Sequence, residues 1–151
     1  NFDITELIRE VIRKSNVMFE EKGIKVNYIQ NDKYNVYADD FYIEQVVTNY
    51  LTNAIKHCKE LNGKKEINIT MERIDNKIRV NVHNTGEHID EAELNRIWNR
   101  FYKIDSSRNR TEGGTGIGLS LVKAIMNNYG NDYGVYNEEN GVTFYFELDL
   151  V

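Results

Sequence analysis

Residues 45–57 read QVVTNYLTNAIKH, and two patterns share this one predicted helix. At about 100° per residue, one broad face is apolar: Ile43, Val46, Val47, Tyr50, Leu51, Ala54 and Ile55. The opposite side carries four polar residues: Gln45, Asn49, Asn53 and Lys56. Asparagine is a weak helix former because its short amide competes for backbone hydrogen bonds, so an ordinary solvated face would carry Glu, Lys or Gln instead. The stacked asparagines therefore predict a ligand-binding face.

A glycine-rich stretch, Gly113-Gly114-Thr115-Gly116-Ile117-Gly118, opens another predicted helix. Glycine lets a backbone approach a ligand closely, and the free N–H groups at a helix start attract anions. The stretch is not a Rossmann fingerprint, which reads G-x-G-x-x-G directly after a strand, nor a Walker A loop, which ends in Gly-Lys-Ser/Thr. Here G-x-G-x-G follows the polar run 106–112. Combined with the asparagine face, the stretch predicts a nucleotide site.

Length and composition favour one domain over residues 1–151. The 151 residues are 40% hydrophobic, enough for a sizeable core, and a second domain would be cramped. A single cysteine, Cys58, excludes an internal disulfide and a zinc site with several thiolates. The net charge of -5 disfavours nucleic acid as a partner. Because no apolar run approaches the roughly 20 residues of a membrane span and the first residues lack signal-peptide features, the chain is expected to be soluble.

Hydrophobic periodicity predicts three long helices and five or six strands. The helices are expected at Asp3 to about Lys22, at about Asp40 to Leu61 and from Ile117 to near Tyr129. The strands are expected at 25–29, at 35–38, in a hairpin of 66–73 and 77–83, and in a final hairpin with an Asn140-Gly141 turn. A shorter helical pattern covers Glu91–Trp98. Three helices can cover only one sheet face, which predicts an α+β two-layer sandwich with a mixed, largely antiparallel sheet.

Four motifs, taken in order, resemble the catalytic, ATP-binding domain of sensor histidine kinases, whose superfamily includes DNA gyrase, the Hsp90 chaperones and the MutL repair proteins. Gln45–His57 is similar to the N box, His83–Ile89 to the first glycine box, Trp98–Lys103 to the F box and Gly114–Leu119 to the second glycine box. Each motif alone is weak, but four at compatible spacings across nearly the whole chain are specific. The resemblance implies a Bergerat-type ATP-binding fold.

The resemblance implies roles for the polar face of the first motif. Asn49 and Asn53 would lie along the triphosphate, one coordinating Mg²⁺ through its amide oxygen and the other bonding a phosphate or a metal-bound water. Mg²⁺ prefers oxygen ligands and retains waters and substrate phosphates in its shell. Lys56 would add a positive charge one turn further on. His57 would donate to a phosphate, although its place at the edge of the apolar face also fits a structural role.

Backbone and lid contacts to the phosphates are implied by the two later motifs. Arg100 and Lys103 would belong to a lid that neutralises the phosphates when ATP enters. The second glycine box would cradle the nucleotide through six residues: Gly114, Thr115, Gly116, Ile117, Gly118 and Leu119.

The first glycine box departs from the family pattern. Asn84 stands where the family has an Asp that accepts a hydrogen bond from the adenine amine, and the amide could also donate to a guanine carbonyl. His88 replaces the second glycine. The resemblance still places Asn84, Gly86 and Ile89 at the purine, with Thr143 bordering it, and a plain turn after a strand is the alternative for the first two.

The implied function is binding of Mg·ATP and transfer of its γ-phosphate to a histidine on a dimerisation domain absent from this chain, ahead of a response regulator. The parent would be a membrane-anchored homodimer with this domain on the cytoplasmic side. An ATPase or a serine-directed kinase of the same superfamily is one alternative. Gyrase-like and Hsp90-like ATPases carry a water-activating Glu where Asn49 stands, so the Asn disfavours hydrolysis. A non-catalytic nucleotide-binding module is the remaining alternative.

Overall fold

The computed structural model describes residues 1–99 and 118–151. In chain order the elements are β1 (Phe2–Asp3), α1 (Ile4–Lys14), α2 (Asn16–Lys22), β2 (Lys25–Asn27), β3 (Asn35–Val36), α3 (Asp40–His57), β4 (Glu66–Ile74), β5 (Lys77–Thr85), α4 (Gly118–Tyr129), β6 (Tyr133–Glu138) and β7 (Gly141–Asp149). Two short 3₁₀ helices, Glu91–Glu93 and Arg96–Trp98, lie between β5 and α4. None of the helices in the described ranges is both long enough and apolar enough to span a bilayer.

Five strands form the main sheet in the order β2-β4-β5-β7-β6. β2 runs parallel to β4, and the other neighbours are antiparallel. A separate two-stranded sheet pairs β1 with β3, so that Val36 lies opposite Phe2, and an isolated bridge places the same Val36 opposite Leu150. The sheet is therefore mixed and largely antiparallel, as expected.

One face of the main sheet forms the core with α3. The seven apolar residues predicted for the buried face of α3 are the seven that are buried. They meet alternate side chains of β5 and β7, which are all buried: Ile78, Val80, Val82, Phe144, Phe146 and Leu148. Tyr50 is central, since its ring contacts those of Trp98, Phe144 and Phe146. The predicted α+β two-layer sandwich is confirmed. We call the sheet face that packs against α3 the inner face, and the opposite sheet face the outer face.

Two predicted helices have different limits in the structure. The first helix is divided, because α1 ends at Lys14 and the Ser15 N–H donates to the carbonyls of Val11 and Ile12 before α2 begins. Ser15 and Asn16, both weak helix formers, form the junction. α3 ends at His57 and not near Leu61, since the backbone extends and the Lys59 N–H donates to the Thr85 carbonyl at 2.9 Å.

Two smaller expectations also need correction. The helical pattern Glu91–Trp98 forms two separate 3₁₀ turns, of which the second buries Ile97 and Trp98. The last hairpin turns at Glu139 and Asn140, so Gly141 is already paired in β7. That pairing explains the glycine, because a Cβ on Gly141 would lie 1.9 Å from the Asn84 carbonyl oxygen.

Candidate functional site

The polar side of α3 meets the first turn of α4. The Asn49 side-chain nitrogen donates to the Gln45 carbonyl of its own helix at 2.8 Å. Its oxygen is directed toward α4, because a Cβ on Gly118 would lie only 3.0 Å from Asn49 Oδ1. Glycine at 118 therefore allows the close approach of two segments that are far apart in sequence. The structure brings the N box and the last glycine of the second glycine box together.

Three further predicted site residues lie in the next two turns of α3. Asn53, Lys56 and His57 are each half-buried, and α3 carries the last two in its final turn. Lys56 and His57 both have interaction partners in the structure. These residues thus form a partly covered polar surface one to two turns beyond Asn49.

The start of α4 supplies backbone donors beside this surface. The first N–H groups of a helix have no partner within the helix, and they carry a partial positive charge. Leu119 is half-buried and packs against the core. The other predicted phosphate contacts lie outside the described residues: Arg100, Lys103, Gly114, Thr115, Gly116 and Ile117.

Asn84 is a polar residue in an apolar environment. It lies on the inner face at the end of β5, between Ile67 of β4 and Val142 of β7, and is 2% exposed. Its side-chain nitrogen donates to the Thr85 carbonyl at 3.1 Å. Because that bond uses the nitrogen, Oδ1 is the side-chain atom that can accept a hydrogen bond from a ligand amine.

Thr85 links the ends of α3, β4 and β5. Its carbonyl accepts from the Asn84 side chain and from the Lys59 N–H, and its hydroxyl donates to the Lys59 carbonyl at 2.8 Å. The same hydroxyl accepts from the Glu66 N–H at 3.0 Å. Thr85 therefore fixes the position of Asn84 relative to the end of α3, and its residue type alone did not indicate this role.

Gly86 serves the packing of the protein itself. Its φ is +144°, and a Cβ there would lie 3.0 Å from the His57 carbonyl oxygen and 3.4 Å from the Lys59 nitrogen. The resemblance placed Gly86 at the purine. In the described structure the atoms that require the glycine belong to the last residue of α3 and to Lys59 just after it, so Gly86 joins the segment 84–89 to the end of that helix.

Ile89 is held by a residue that the sequence analysis missed. The Asn137 side chain donates to the Ile89 carbonyl at 2.8 Å and accepts from the Ile89 N–H at 2.9 Å. The neighbouring His88 ring contacts the Glu138 carbonyl through Nε2. A polar residue at an inner-face position of β6 was the available signal, because its partners in the strand pattern are apolar.

Thr143 is not brought into this group. Along β7 it alternates with Val142, so it lies on the outer face beside His83 and Tyr136. Its hydroxyl donates to the Glu138 carboxylate. The prediction that Thr143 borders the same site as Asn84 is wrong in its geometry, because adjacent residues of a strand face opposite sides of the sheet. Val142 occupies the position beside Asn84.

The titratable groups near the site do not suggest a nucleophile or a cluster for a transition metal. Cys58 is buried, and burial raises the pKa of its thiol, so the reactive thiolate is disfavoured. In residues 1–99 and 118–151, no three His, Cys, Asp or Glu side chains come together to hold a metal ion. The oxygen donors among the candidate site residues of α3 are the amides of Asn49 and Asn53, which suit a hard cation that shares its shell with phosphates and water.

Known proteins that are similar to this chain in sequence include histidine kinases. Over 99% of this chain, the signal transduction histidine-protein kinase BarA of Escherichia coli K12 is 30% identical. The sensor histidine kinase CusS of the same strain is 27% identical over 97% of the chain. The chain spans 17% of the first relative and 30% of the second, less than a third of either.

Among solved structures, the catalytic domain of histidine kinase ThkA superposes with a TM-score of 0.85 at 33% identity, covering 98% of this chain and 93% of that domain. Full-length ShkA, solved in complex with AMPPNP, gives a TM-score of 0.83 at 26% identity, covering 99% of this chain and 30% of ShkA. ThkA in complex with the response regulator TrrA gives 0.74 at 31% identity, covering 99% of this chain and 41% of the matched chain.

Residues 38–151 match the model of the family described as histidine kinase-, DNA gyrase B-, and HSP90-like ATPase. This range includes α3, both glycine boxes and the whole β5-β7-β6 part of the sheet. The resemblance drawn from the four motifs is therefore confirmed. The chain belongs to the histidine kinase-, DNA gyrase B-, and HSP90-like ATPase family, and its fold is that of a sensor histidine kinase catalytic domain.

Proposed function

We propose that the chain binds Mg·ATP between the polar side of α3, the start of α4 and the ends of β5 and β6. In this proposal it presents the γ-phosphate to a histidine of a separate phosphoacceptor domain of the same kinase. The observation that carries the proposal is the approach of Asn49 Oδ1 to Gly118, which joins the N box to a helix start. A polar helix face beside the first backbone N–H groups of another helix is suited to a phosphate chain.

The phosphates would lie along α3. The Asn49 nitrogen is engaged with Gln45, so its oxygen remains the natural ligand atom for Mg²⁺, and Asn53 follows one turn later. Mg²⁺ would neutralise phosphate charge during the transfer. Asn49 and Asn53 would orient the triphosphate, and Lys56 would add a positive charge. Such a site contributes mainly by positioning and charge neutralisation.

The purine would lie against the inner face of the sheet. Asn84 Oδ1 would accept from the exocyclic amine of adenine, since its nitrogen already donates to Thr85. Val142 and Ile89 would supply apolar surface beside it, and Gly86 would hold this segment against α3. An Asn amide has two N–H groups, so beyond its bond to Thr85 the Asn84 side chain retains one that can donate to a guanine carbonyl. Thr143 has no part in the proposed site.

The lid and most of the second glycine box complete the proposal as predictions from sequence. Arg100 and Lys103 would approach the β- and γ-phosphates, and the backbone of residues 114–117 would continue the donor surface that begins at Gly118. These residues are basic or rich in glycine, as phosphate contacts require.

The partners follow from the kinases that this chain resembles. The complex of ThkA with TrrA supports a response regulator as the downstream partner, and the AMPPNP complex of ShkA supports ATP as the nucleotide. The phosphoacceptor histidine would belong to a dimerisation domain of the same parent, a membrane-anchored homodimer that keeps this domain on its cytoplasmic side. Nucleic acid is not a proposed partner, given the net charge of -5.

Calorimetric titration with Mg·ATP tests the phosphate side. Asn53→Ala should weaken Mg·ATP by roughly 100-fold, the upper range for a lost interaction around a bound metal, without changing the unfolding midpoint. Thr52→Ala, which alters the exposed neighbour on the same helix, should bind like the wild type. Equal affinity of Asn53→Ala and wild type, with and without Mg²⁺, would remove Asn53 from the site.

Incubation with γ-labelled ATP separates the kinase from the alternatives. The chain should bind the nucleotide yet acquire no acid-labile phosphate, because its partner histidine lies on another domain, and it should release little phosphate, because Asn49 cannot act as a base toward water. Rapid release of phosphate would favour an ATPase. A chain that binds no nucleotide at all would contradict the whole proposal.

A further inference from the structure

We infer that Asn137 is a positioning residue of the purine side: its side-chain amide holds the segment 86–90 in place before any nucleotide enters. The inference rests on the proposed function, since it concerns how the proposed purine pocket keeps its shape. It concerns a residue of β6 that none of the four motifs includes.

The geometry of the contact is that of a paired strand. One amide makes two hydrogen bonds to the backbone of a single residue, donating to the Ile89 carbonyl at 2.8 Å and accepting from the Ile89 N–H at 2.9 Å. Two bonds to both backbone groups of one residue fix its distance and its orientation. Asn137 thus ties the chain at Ile89 to β6.

The position of Asn137 in the sheet explains why this tie affects the purine side. Asn137 pairs with Val142, and Val142 pairs with Asn84, so the three side chains form one cross-strand row on the inner face. The segment that starts at Asn84 passes Gly86 and returns to the same row at Ile89. Thr85 fixes its first end and Asn137 its second end.

A segment that is fixed at both ends is already ordered when a ligand arrives. Ordering a loop or side chains on binding costs free energy that is subtracted from affinity. Without Asn137, the Ile89 end would be held by the His88 contact with Glu138 and by the packing of Ile89. Nucleotide binding would then have to order it. This penalty should fall on ligands that carry a purine and spare ligands that contact only α3 and α4.

The experiment compares two ligands on the whole chain: Mg·ATP and Mg·tripolyphosphate, which has the phosphates but no purine. Asn137→Ala should weaken Mg·ATP by roughly 5- to 30-fold, the factor that corresponds to one or two modest interactions, and leave Mg·tripolyphosphate unchanged. Asn137→Asp keeps the acceptor but sets a carboxylate oxygen against the Ile89 carbonyl in place of the donor, so it should weaken Mg·ATP as well. Asn140→Ala is the matched control, because its amide bonds to His83 on the outer face.

Hydrogen exchange gives a second readout that needs no nucleotide. The Ile89 N–H should exchange faster in Asn137→Ala, while amides in the middle of β5 keep their protection. Unchanged exchange at Ile89 would overturn the inference, and so would equal losses for the two ligands. A wild type that binds Mg·tripolyphosphate but not Mg·ATP would instead contradict the proposed purine site. If Asn137→Ala does not fold, Asn137→Asp carries both measurements.

Discussion

Asparagines occur on both faces of the sheet, but the two faces use them differently. On the outer face they bond to each other and to a histidine across strands: Asn27 donates to Asn68 at 2.7 Å, Asn68 donates to His83 Nδ1 at 3.2 Å, and His83 Nε2 donates to Asn140 at 3.1 Å. This chain of bonds crosses from β2 to the last turn and links the three amides to one another through His83 within the sheet surface.

On the inner face, Asn84 and Asn137 interrupt an apolar row and bond to the backbone of the segment around the candidate site. An apolar residue would suit the core better at either position, since burial of an amide is costly unless it is bonded. The asparagines at the candidate site therefore differ from those of the outer face in their position relative to the hydrophobic pattern, and not in their residue type.

Gly141→Ala should have the largest effect, because it disturbs the pairing of β5 with β7, whose side chains contribute to both faces of the sheet. The added Cβ would lie 1.9 Å from the Asn84 carbonyl oxygen and 3.1 Å from His83 Nε2. Since a backbone atom cannot move aside cheaply, we expect a loss of about 3 kcal/mol or more in the free energy of unfolding. Urea unfolding measures it, with exposed Glu139→Ala as the control. A loss below about 1 kcal/mol would mean that the two strands separate easily here.

Asn84→Ala should act on ligand affinity. Removing the proposed acceptor should weaken ATP by about 1–3 kcal/mol, the range for a lost buried hydrogen-bond partner. Asn84→Asp should retain ATP and discriminate more sharply against GTP, because a carboxylate cannot donate to a guanine carbonyl. Parallel titrations of both nucleotides with the three proteins decide the matter. If neither substitution changes either affinity, the purine binds elsewhere. The two faces would then differ in their hydrogen bonding but not in ligand binding.

His83→Ala should act on stability alone. It would leave the amides of Asn68 and Asn140 without their shared partner, which we expect to lower the free energy of unfolding by about 1–2 kcal/mol. Although His83 is adjacent to Asn84 in sequence, it faces the other side, so the affinity for Mg·ATP should remain that of the wild type. Calorimetry and urea unfolding on one sample provide both values. A drop in affinity comparable to that of Asn84→Ala would show that the faces are not independent.

Cys58 should give the smallest effect, and it depends on pH. Burial raises the pKa of its thiol in the folded chain, so the folded state retains the proton better than the unfolded state. Its contribution is therefore full below the ordinary thiol pKa of about 8.5 and is lost as pH rises through the higher folded value. Cys58→Ala should lose less stability than the wild type between about pH 7.5 and 9.5, by under about 1 kcal/mol.

Burial also raises the pKa of the Tyr50 hydroxyl, so Tyr50 adds its own loss of stability at alkaline pH. Cys58→Ala leaves Tyr50 in place, so this loss is the same in both proteins. The urea unfolding midpoints of Cys58→Ala and of the wild type at about pH 7.5 and about pH 9.5 provide the comparison. Identical pH dependence in Cys58→Ala and wild type would mean that the thiol does not titrate differently in the folded chain.

The sequence predicted well those features that depend on periodicity. The buried face of α3 and the apolar positions of β5 and β7 follow from spacing alone, because one face of each element must be covered. Periodicity does not predict that the first helix divides at Ser15 or that α3 ends before Lys59. The division of the first helix and the early end of α3 depend on bonds to the previous turn and to Thr85, and no local preference encodes a tertiary partner.

Candidate site residues show the same division. Asn49 was recognisable because asparagine is unfavourable in a helix, and Asn84 because its position in the first glycine box matches the Asp of the family. Asn137 and Thr85 were missed. A polar residue among apolar strand positions marks Asn137, but the backbone groups that both residues bond belong to distant segments. Thr143 was misplaced because a motif position was transferred without the strand alternation, which puts Val142 on the inner face.

Val36 of the small sheet lies between the two ends of the chain, opposite Phe2 on one side and Leu150 on the other. The Val151 N–H also donates to the Asn35 carbonyl, and the Tyr37 N–H to the Asp149 carbonyl. A mechanical force that draws the two ends apart would therefore load these few pairs first, because they join both ends to the same strand. The asparagines of α3 and the row on the inner face would carry no load until β3 had been detached.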